Sequence, residues 1–118
     1  RKNNESRRKS YEEMKRVLDN GLDMLIYPEG TRNKTNNPLK SFYDGAFRLS
    51  VDTGKPIVPV VILNTKRILP AKPLLFLRPG NIILNILPSI SPIGHTTETL
   101  KKLVFDIMAD HYEKNNKD

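Results

Sequence analysis

Glu29, Gly30, Thr31 and Arg32 stand side by side behind an apolar run and Pro28. Together they could hold a phosphate. Glycine lets backbone N–H groups come close to a ligand, threonine adds a hydroxyl, and the guanidinium is a planar fork that grips phosphate oxygens bidentately. Glu29 would repel a phosphate if it pointed inward, so its expected tasks are to orient Arg32 or to accept a hydrogen bond from a substrate hydroxyl. The same residues could instead form a plain surface turn with an exposed Glu29–Arg32 ion pair, contributing about 0 to 1 kcal/mol. On these residues alone both readings stand.

The elements that must position this turn can be read from periodicity. Residues 22–27 are short and apolar, which predicts a buried strand carrying the turn at its C-terminal end, where open α/β sheets bind ligands. Before it, Tyr11, Met14, Val17 and Leu18 recur at helical spacing within residues 6–20, Ser10 and Glu13 have capping-box spacing, and Asn20-Gly21 supplies a stop. After it comes a polar loop, 33–40. Ser41 and Asp44 repeat the capping-box spacing ahead of Ala46, Phe47, Leu49 and Val51, with Gly54 as the stop. Gly45 inside that helix would cost about 1 kcal/mol relative to alanine, so it is expected to mark a close approach. Residues 57–63 are rich in β-branched types and predict a strand buried on both faces, although Pro59 removes a ladder donor. Residues 74–77 and 82–87 flank Pro79-Gly80 and predict a further strand pair around a type II turn. Leu100, Leu103, Val104, Ile107 and Met108 trace one face of a closing helix from Thr97, and residues 113–118 read as a frayed polar tail. Helix, strand, helix, strands and helix make an α/β layer arrangement, here a mixed sheet flanked by helices, without internal repeats.

The 118 residues suit one domain, and the hydrophobic fraction of 37% is below the roughly 45 to 50% usual for soluble domains. There is no cysteine, hence no disulfide framework, thiolate nucleophile or Cys-based zinc site, and no metal site is expected. No apolar run reaches the roughly 18 residues of a spanning helix. The net charge of +7 favours anions: nucleic acid, lipid headgroups or phosphorylated substrates. Basic residues gather at Arg1, Lys2, Arg7, Arg8 and Lys9, and again at Lys66, Arg67, Lys72 and Arg78. Zinc-finger spacing, an RNP-like aromatic strand and a helix-turn-helix succession are all missing, which weighs against a nucleic-acid-binding module but keeps it as an alternative. His95 precedes a helix, whose N-terminus disfavours imidazolium, and His111 continues the apolar face of the last helix as a packing residue. Tyr27, Phe42 and Phe47 are expected to pack in the core, and Asp44 to cap its helix.

Tyr27 to Arg32, "YPEGTR", with Lys40, Phe42, Gly45, Ala46 and Phe47 in order and the Val58-Pro59 pair in an apolar strand, resembles the lysophospholipid and glycerophosphate acyltransferase family. The likeness is to its 1-acylglycerol-3-phosphate acyltransferases and runs from Arg1 to about Ile90. It implies acyl transfer from acyl-CoA or acyl carrier protein, as co-substrate without a further cofactor, to lysophosphatidate or a related glycerophosphate acceptor, giving phosphatidic acid. It also implies that Glu29, Gly30, Thr31 and Arg32 bind the acceptor, with Lys40, Gly45 and Pro59 as secondary candidates. Arg1 resembles the arginine that ends the family's second block and contacts the glycerol phosphate. The family's His-x-x-x-x-Asp block has no counterpart here, since His95 and His111 are followed at that spacing by Leu100 and Asn116. The resemblance therefore implies that residues 1–118 are the C-terminal part of one acyltransferase domain, with no catalytic base in this chain and inactive alone. It implies a whole enzyme at the cytoplasmic face of a membrane, and a fragment prone to self-association through exposed apolar surface. The missing base also leaves a non-catalytic phospholipid-headgroup binding domain as an alternative.

Overall fold

The structure, a computed structural model, describes residues 2–69 and 79–116. Among them the elements are α1 (Lys2–Asp19), α2 (Gly45–Thr53), β1 (Val60–Leu63), α3 (Thr65–Ile68), β2 (Ile83–Ile86) and α4 (Thr97–Asn115). The chain is α/β, as its periodicity implies.

Helix α1 begins well before its apolar positions do, so Ser10 and Glu13 lie inside it rather than capping it. Glu13 instead accepts from the Arg16 guanidinium at 2.6 and 2.7 Å. The expected stop is present: Gly21 takes a left-handed φ of +81° and donates to the Leu18 carbonyl. Helix α1 is latched to α2 through Tyr11, whose hydroxyl donates to the Asp52 carboxylate while the Arg48 guanidinium lies 4.6 Å from the centre of its ring. Burial, then the hydrogen bond to Asp52 and that residue's charge, push the Tyr11 phenol up to about 12; Glu12 adds to the rise and Arg48 opposes it. A tyrosine titrates near 10 when unfolded, so the folded state holds this proton more tightly. Its contribution to stability is complete below about pH 10 and lost as pH rises toward 12. Tyr11→Phe is thus expected to flatten the fall in urea stability across that window, and an unchanged slope would remove Tyr11 from the linkage.

The core lies between α2 and α4. Phe42 stacks on Phe47 with ring centres 5.8 Å apart and meets Phe105 edge-on at 5.0 Å, while Leu100 and Val104 of α4 close the cluster. Buried Ser50 donates to the Lys55 carbonyl at 2.5 Å, and Gly54 ends α2 at φ +72° as its position predicts. The Ser41/Asp44 capping box does not form. Helix α2 starts at Gly45, Asp44 makes no side-chain cap, and its carboxylate instead accepts from Lys101 of α4 at 2.7 Å. Helix α4 carries the box that the chain does form, Thr96 with Thr99, where threonine takes the place of the usual Glu or Gln. It stays helical through Asn115, past the expected start of fraying.

The sheet departs most from expectation. Strand β1 pairs antiparallel with β2, Val60 opposite Ile86 and Leu63 opposite Ile83, and a single bridge joins Ile57 to Ile90. Residues 82–87 thus find their partner in the 57–63 segment; the expected strand at 74–77 lies outside the described residues. Only one face of β1 is buried, Val61 and Leu63 against α4, whereas Leu84 and Ile86 on the opposite face of the pair are exposed. Pro59 is buried just before β1 and still contributes a carbonyl, accepting from Leu87 at 2.9 Å. Residues 22–27 form no ladder among the described residues and are not buried as a strand would be: Leu25 is 76% and Tyr27 68% exposed. An apolar run specifies a strand's interior only when neighbouring strands cover it, and here none of the described elements does.

Candidate acceptor-binding turn

Pro28 and Gly30 shape the turn. The Gly30 N–H donates to the Tyr27 carbonyl at 3.1 Å, which puts proline second and glycine fourth in a four-residue turn, the positions each favours. Gly30 has φ +69°, and a Cβ there would stand 2.7 Å from Cε2 of the Tyr43 ring. Both facts demand glycine. The Tyr43 N–H donates to the Pro28 carbonyl at 2.9 Å, so the segment before α2 is tied to the turn through backbone.

Glu29 does not orient Arg32. Its carboxylate accepts from the Lys40 backbone N–H at 2.7 Å, and no Glu29–Arg32 ion pair occurs among the described residues. It therefore acts as a brace, fixing the return of the loop. That brace brings the Lys40 ammonium to the Thr31 hydroxyl, to which it donates at 2.6 Å, leaving the hydroxyl proton of Thr31 available to a ligand. Arg32 is exposed and donates one guanidinium N–H to the Leu69 carbonyl, its one hydrogen-bond partner among the described residues. Gly30 cannot offer its own N–H, which Tyr27 occupies, so a cradle here uses the Thr31 hydroxyl, the Lys40 ammonium and the Arg32 fork.

The loop between these parts is self-supporting. Asn33 Oδ1 accepts from the Thr35 N–H at 2.9 Å and its hydroxyl at 2.6 Å, Asn33 Nδ2 donates to Asn37, and Lys66 donates to the Thr35 carbonyl at 3.0 Å. The structure thus joins Glu29, Thr31 and Lys40 next to Gly30, while Arg32 follows in the chain with its guanidinium at the Leu69 carbonyl. Gly45 is not part of that group: it is the first residue of α2 with nothing within 4 Å of where a Cβ would be, so no close approach explains it. Pro59 serves the β1–β2 connection, and Arg1 lies outside the described residues. Lys40, a secondary candidate by the resemblance, is the residue that touches both Glu29 and Thr31. Tyr43 was not singled out by spacing at all, because its contact with Gly30 arises from a chain reversal that no local period encodes.

The histidines are engaged elsewhere. His95 Nδ1 pairs with the Thr99 hydroxyl at 3.1 Å, and His111 Nε2 with Asn85 of β2 at 2.9 Å. Phe42 and Phe47 are core, as expected, but Tyr27 is exposed. Among the described residues no helix is long and apolar enough to cross a membrane, and no cluster of His, Asp or Glu could hold a metal.

Residues 1–63 match the model of the acyltransferase family. The chain is 32% identical to the mouse 1-acyl-sn-glycerol-3-phosphate acyltransferase alpha over 87 residues, covering 74% of this chain and 30% of that protein. It is 30% identical to the 1-acyl-sn-glycerol-3-phosphate acyltransferase of Haemophilus influenzae over 103 residues, 84% of this chain and 41% of that one. Its fold matches the crystal structure of the 1-acyl-sn-glycerophosphate (LPA) acyltransferase PlsC from Thermotoga maritima with a TM-score of 0.73 and 30% identity, covering 91% of this chain and 42% of the other. The chain therefore spans well under half the length of these relatives.

Proposed function

Because this chain belongs to the acyltransferase family, we propose that it supplies the acceptor grip for acyl transfer to 1-acylglycerol-3-phosphate. The supporting observation is the turn at 28–32, where the Lys40 ammonium meets the Thr31 hydroxyl next to Gly30, and the following residue, Arg32, carries a guanidinium anchored at the Leu69 carbonyl. In the reaction the free hydroxyl oxygen of lysophosphatidate attacks the carbonyl of a thioester on coenzyme A or acyl carrier protein. The new C–O bond forms, the C–S bond breaks, the thiolate leaves, and the hydroxyl proton passes to a base. General-base help is typically about 100- to 10,000-fold. Glu29 is committed to the Lys40 N–H and the two histidines to Thr99 and Asn85, so we place the base outside these 118 residues. The phosphate grip fixes the acceptor so that its hydroxyl meets the thioester in a reactive orientation. We place the whole reaction at the cytoplasmic face of a membrane, where the net charge of +7 suits anionic headgroups. The exposed apolar face carrying Leu84 and Ile86 suits contact with further protein, including a second copy of this chain.

The test is to titrate the chain with short-chain lysophosphatidate and with random oligonucleotide, each over a salt series. Saturable lysophosphatidate binding that survives moderate salt, with oligonucleotide binding that collapses as counterion release requires, is the expected result. Tight, salt-resistant oligonucleotide binding without lysophosphatidate binding would favour the nucleic-acid reading instead.

A further inference from the structure

The structure assigns a further acceptor-contacting residue: Tyr43, whose phenol we propose hydrogen-bonds the glycerol portion of the acceptor while the turn beside it holds the phosphate. The inference rests on the reading of residues 29–32 as a phosphate grip, and its test separates the two.

Tyr43 is unusual in being both fixed and exposed. Its backbone N–H is tied to the Pro28 carbonyl at 2.9 Å, and its ring edge lies so close to Gly30 that a methyl group there would stand 2.7 and 3.1 Å from two ring carbons. The ring nonetheless remains 66% exposed, and among the described residues its hydroxyl has no hydrogen-bond partner. A tyrosine kept for packing turns its ring into the core, as Phe42 does one residue earlier by stacking on Phe47. Here the backbone alternation that buries Phe42 sends Tyr43 the other way, onto the motif turn. The result is an apolar wall with a polar tip lying beside Gly30 and so beside Thr31, whose hydroxyl meets the Lys40 ammonium. Phosphate chemistry belongs to the cations. What a phenol adds is a neutral donor and acceptor and a flat apolar surface, which match a short polyol carrying hydroxyl and C–H groups rather than a second phosphate. A residue whose backbone is already tied to the turn has less freedom to lose on binding than a free loop residue, so more of the contact is retained as affinity.

The probes are inorganic phosphate and sn-glycerol 3-phosphate, titrated into the 118-residue chain and into Tyr43→Phe, Tyr43→Ala and Arg32→Ala, with thermal unfolding as a check on folding. Wild type is expected to bind glycerol 3-phosphate about three- to tenfold more tightly than phosphate, the range of one added neutral hydrogen bond. Tyr43→Phe should erase most of that difference without changing phosphate affinity or Tm, whereas Arg32→Ala should weaken both ligands together. A difference that persists in both Tyr43 variants, or wild type binding the two ligands equally, would overturn the role of Tyr43 and leave the phosphate grip standing. Failure of wild type to bind either ligand would overturn the phosphate grip and the Tyr43 contact with it.

Discussion

Lysine at position 32 should weaken lysophosphatidate binding by about tenfold, although the charge is unchanged. The Arg32 guanidinium already donates one N–H to the Leu69 carbonyl, and among the described residues the rest of its planar fork has no partner and can meet a phosphate. One head group thus does two things at once: it is anchored to the chain and grips the ligand. An ammonium is a point charge without the fork's fixed geometry. It can reach toward the Leu69 carbonyl or toward the phosphate, but cannot hold both with aligned donors. The loss of one charge-assisted hydrogen bond is about 1.5 to 3 kcal/mol, and solvent exposure of the site puts the expectation at the lower end, which is about tenfold. Lys40 provides the internal comparison: among the described residues its ammonium meets only the Thr31 hydroxyl, so Lys40→Arg should be tolerated better than Arg32→Lys. An Arg32→Lys affinity within twofold of wild type, measured by titration with short-chain lysophosphatidate, would count against the guanidinium–phosphate contact.

Why these residues could be read from sequence and others could not follows from how far apart their causes lie. Pro28 and Gly30 announce a turn because their backbone preferences are local, and Gly54 ends α2 for the same reason. Leu100 and Val104 announce a buried helix face because α4 repeats them at its own period, though Leu103 and Ile107, on the edge of that stripe, are each 36% exposed. Partnership is another matter. Residues 22–27 carry the composition of a buried strand, yet a run of apolar residues does not say which strands flank it, and in this structure the segment joins no ladder among the described residues and leaves Leu22, Leu25 and Tyr27 exposed. Ser41 and Asp44 have capping-box spacing, but the Asp44 carboxylate pairs with Lys101, distant in sequence, and makes no cap at its own helix terminus. The resemblance to a family located the turn; it did not reveal that Glu29 braces Lys40 or that Tyr43 rests on Gly30. Those contacts depend on the loop at 33–39 folding back, and that reversal is stitched by Asn33, Thr35 and Lys66 rather than by any periodic signal.

Phe47→Ala should be the most damaging single core change, and its effect should reach the turn. The ring is 2% exposed, stacks on Phe42 and belongs to the cluster that Leu100 and Val104 complete. Truncating a buried phenylalanine removes its transfer free energy and leaves a cavity, together about 3 to 5 kcal/mol. Against a domain stability of about 5 to 15 kcal/mol, that is a large share, and urea unfolding should show it directly. Phe47→Leu refills much of the space and should cost distinctly less. The functional consequence travels through Phe42, which loses its stacked ring and keeps the edge contact with the Phe105 ring. Phe42 lies between Lys40 and Tyr43, the two residues whose backbone N–H groups hold Glu29 and the Pro28 carbonyl. A looser Phe42 therefore loosens both ties at once, and amide exchange at Lys40 and Tyr43 should accelerate beyond what the global loss of stability explains. Acceptor affinity should fall even under conditions where the variant is fully folded. If exchange at Lys40 and Tyr43 instead followed global unfolding alone, with affinity unchanged in the folded variant, the turn would be held by its own hydrogen bonds and not by the aromatic stack beneath it.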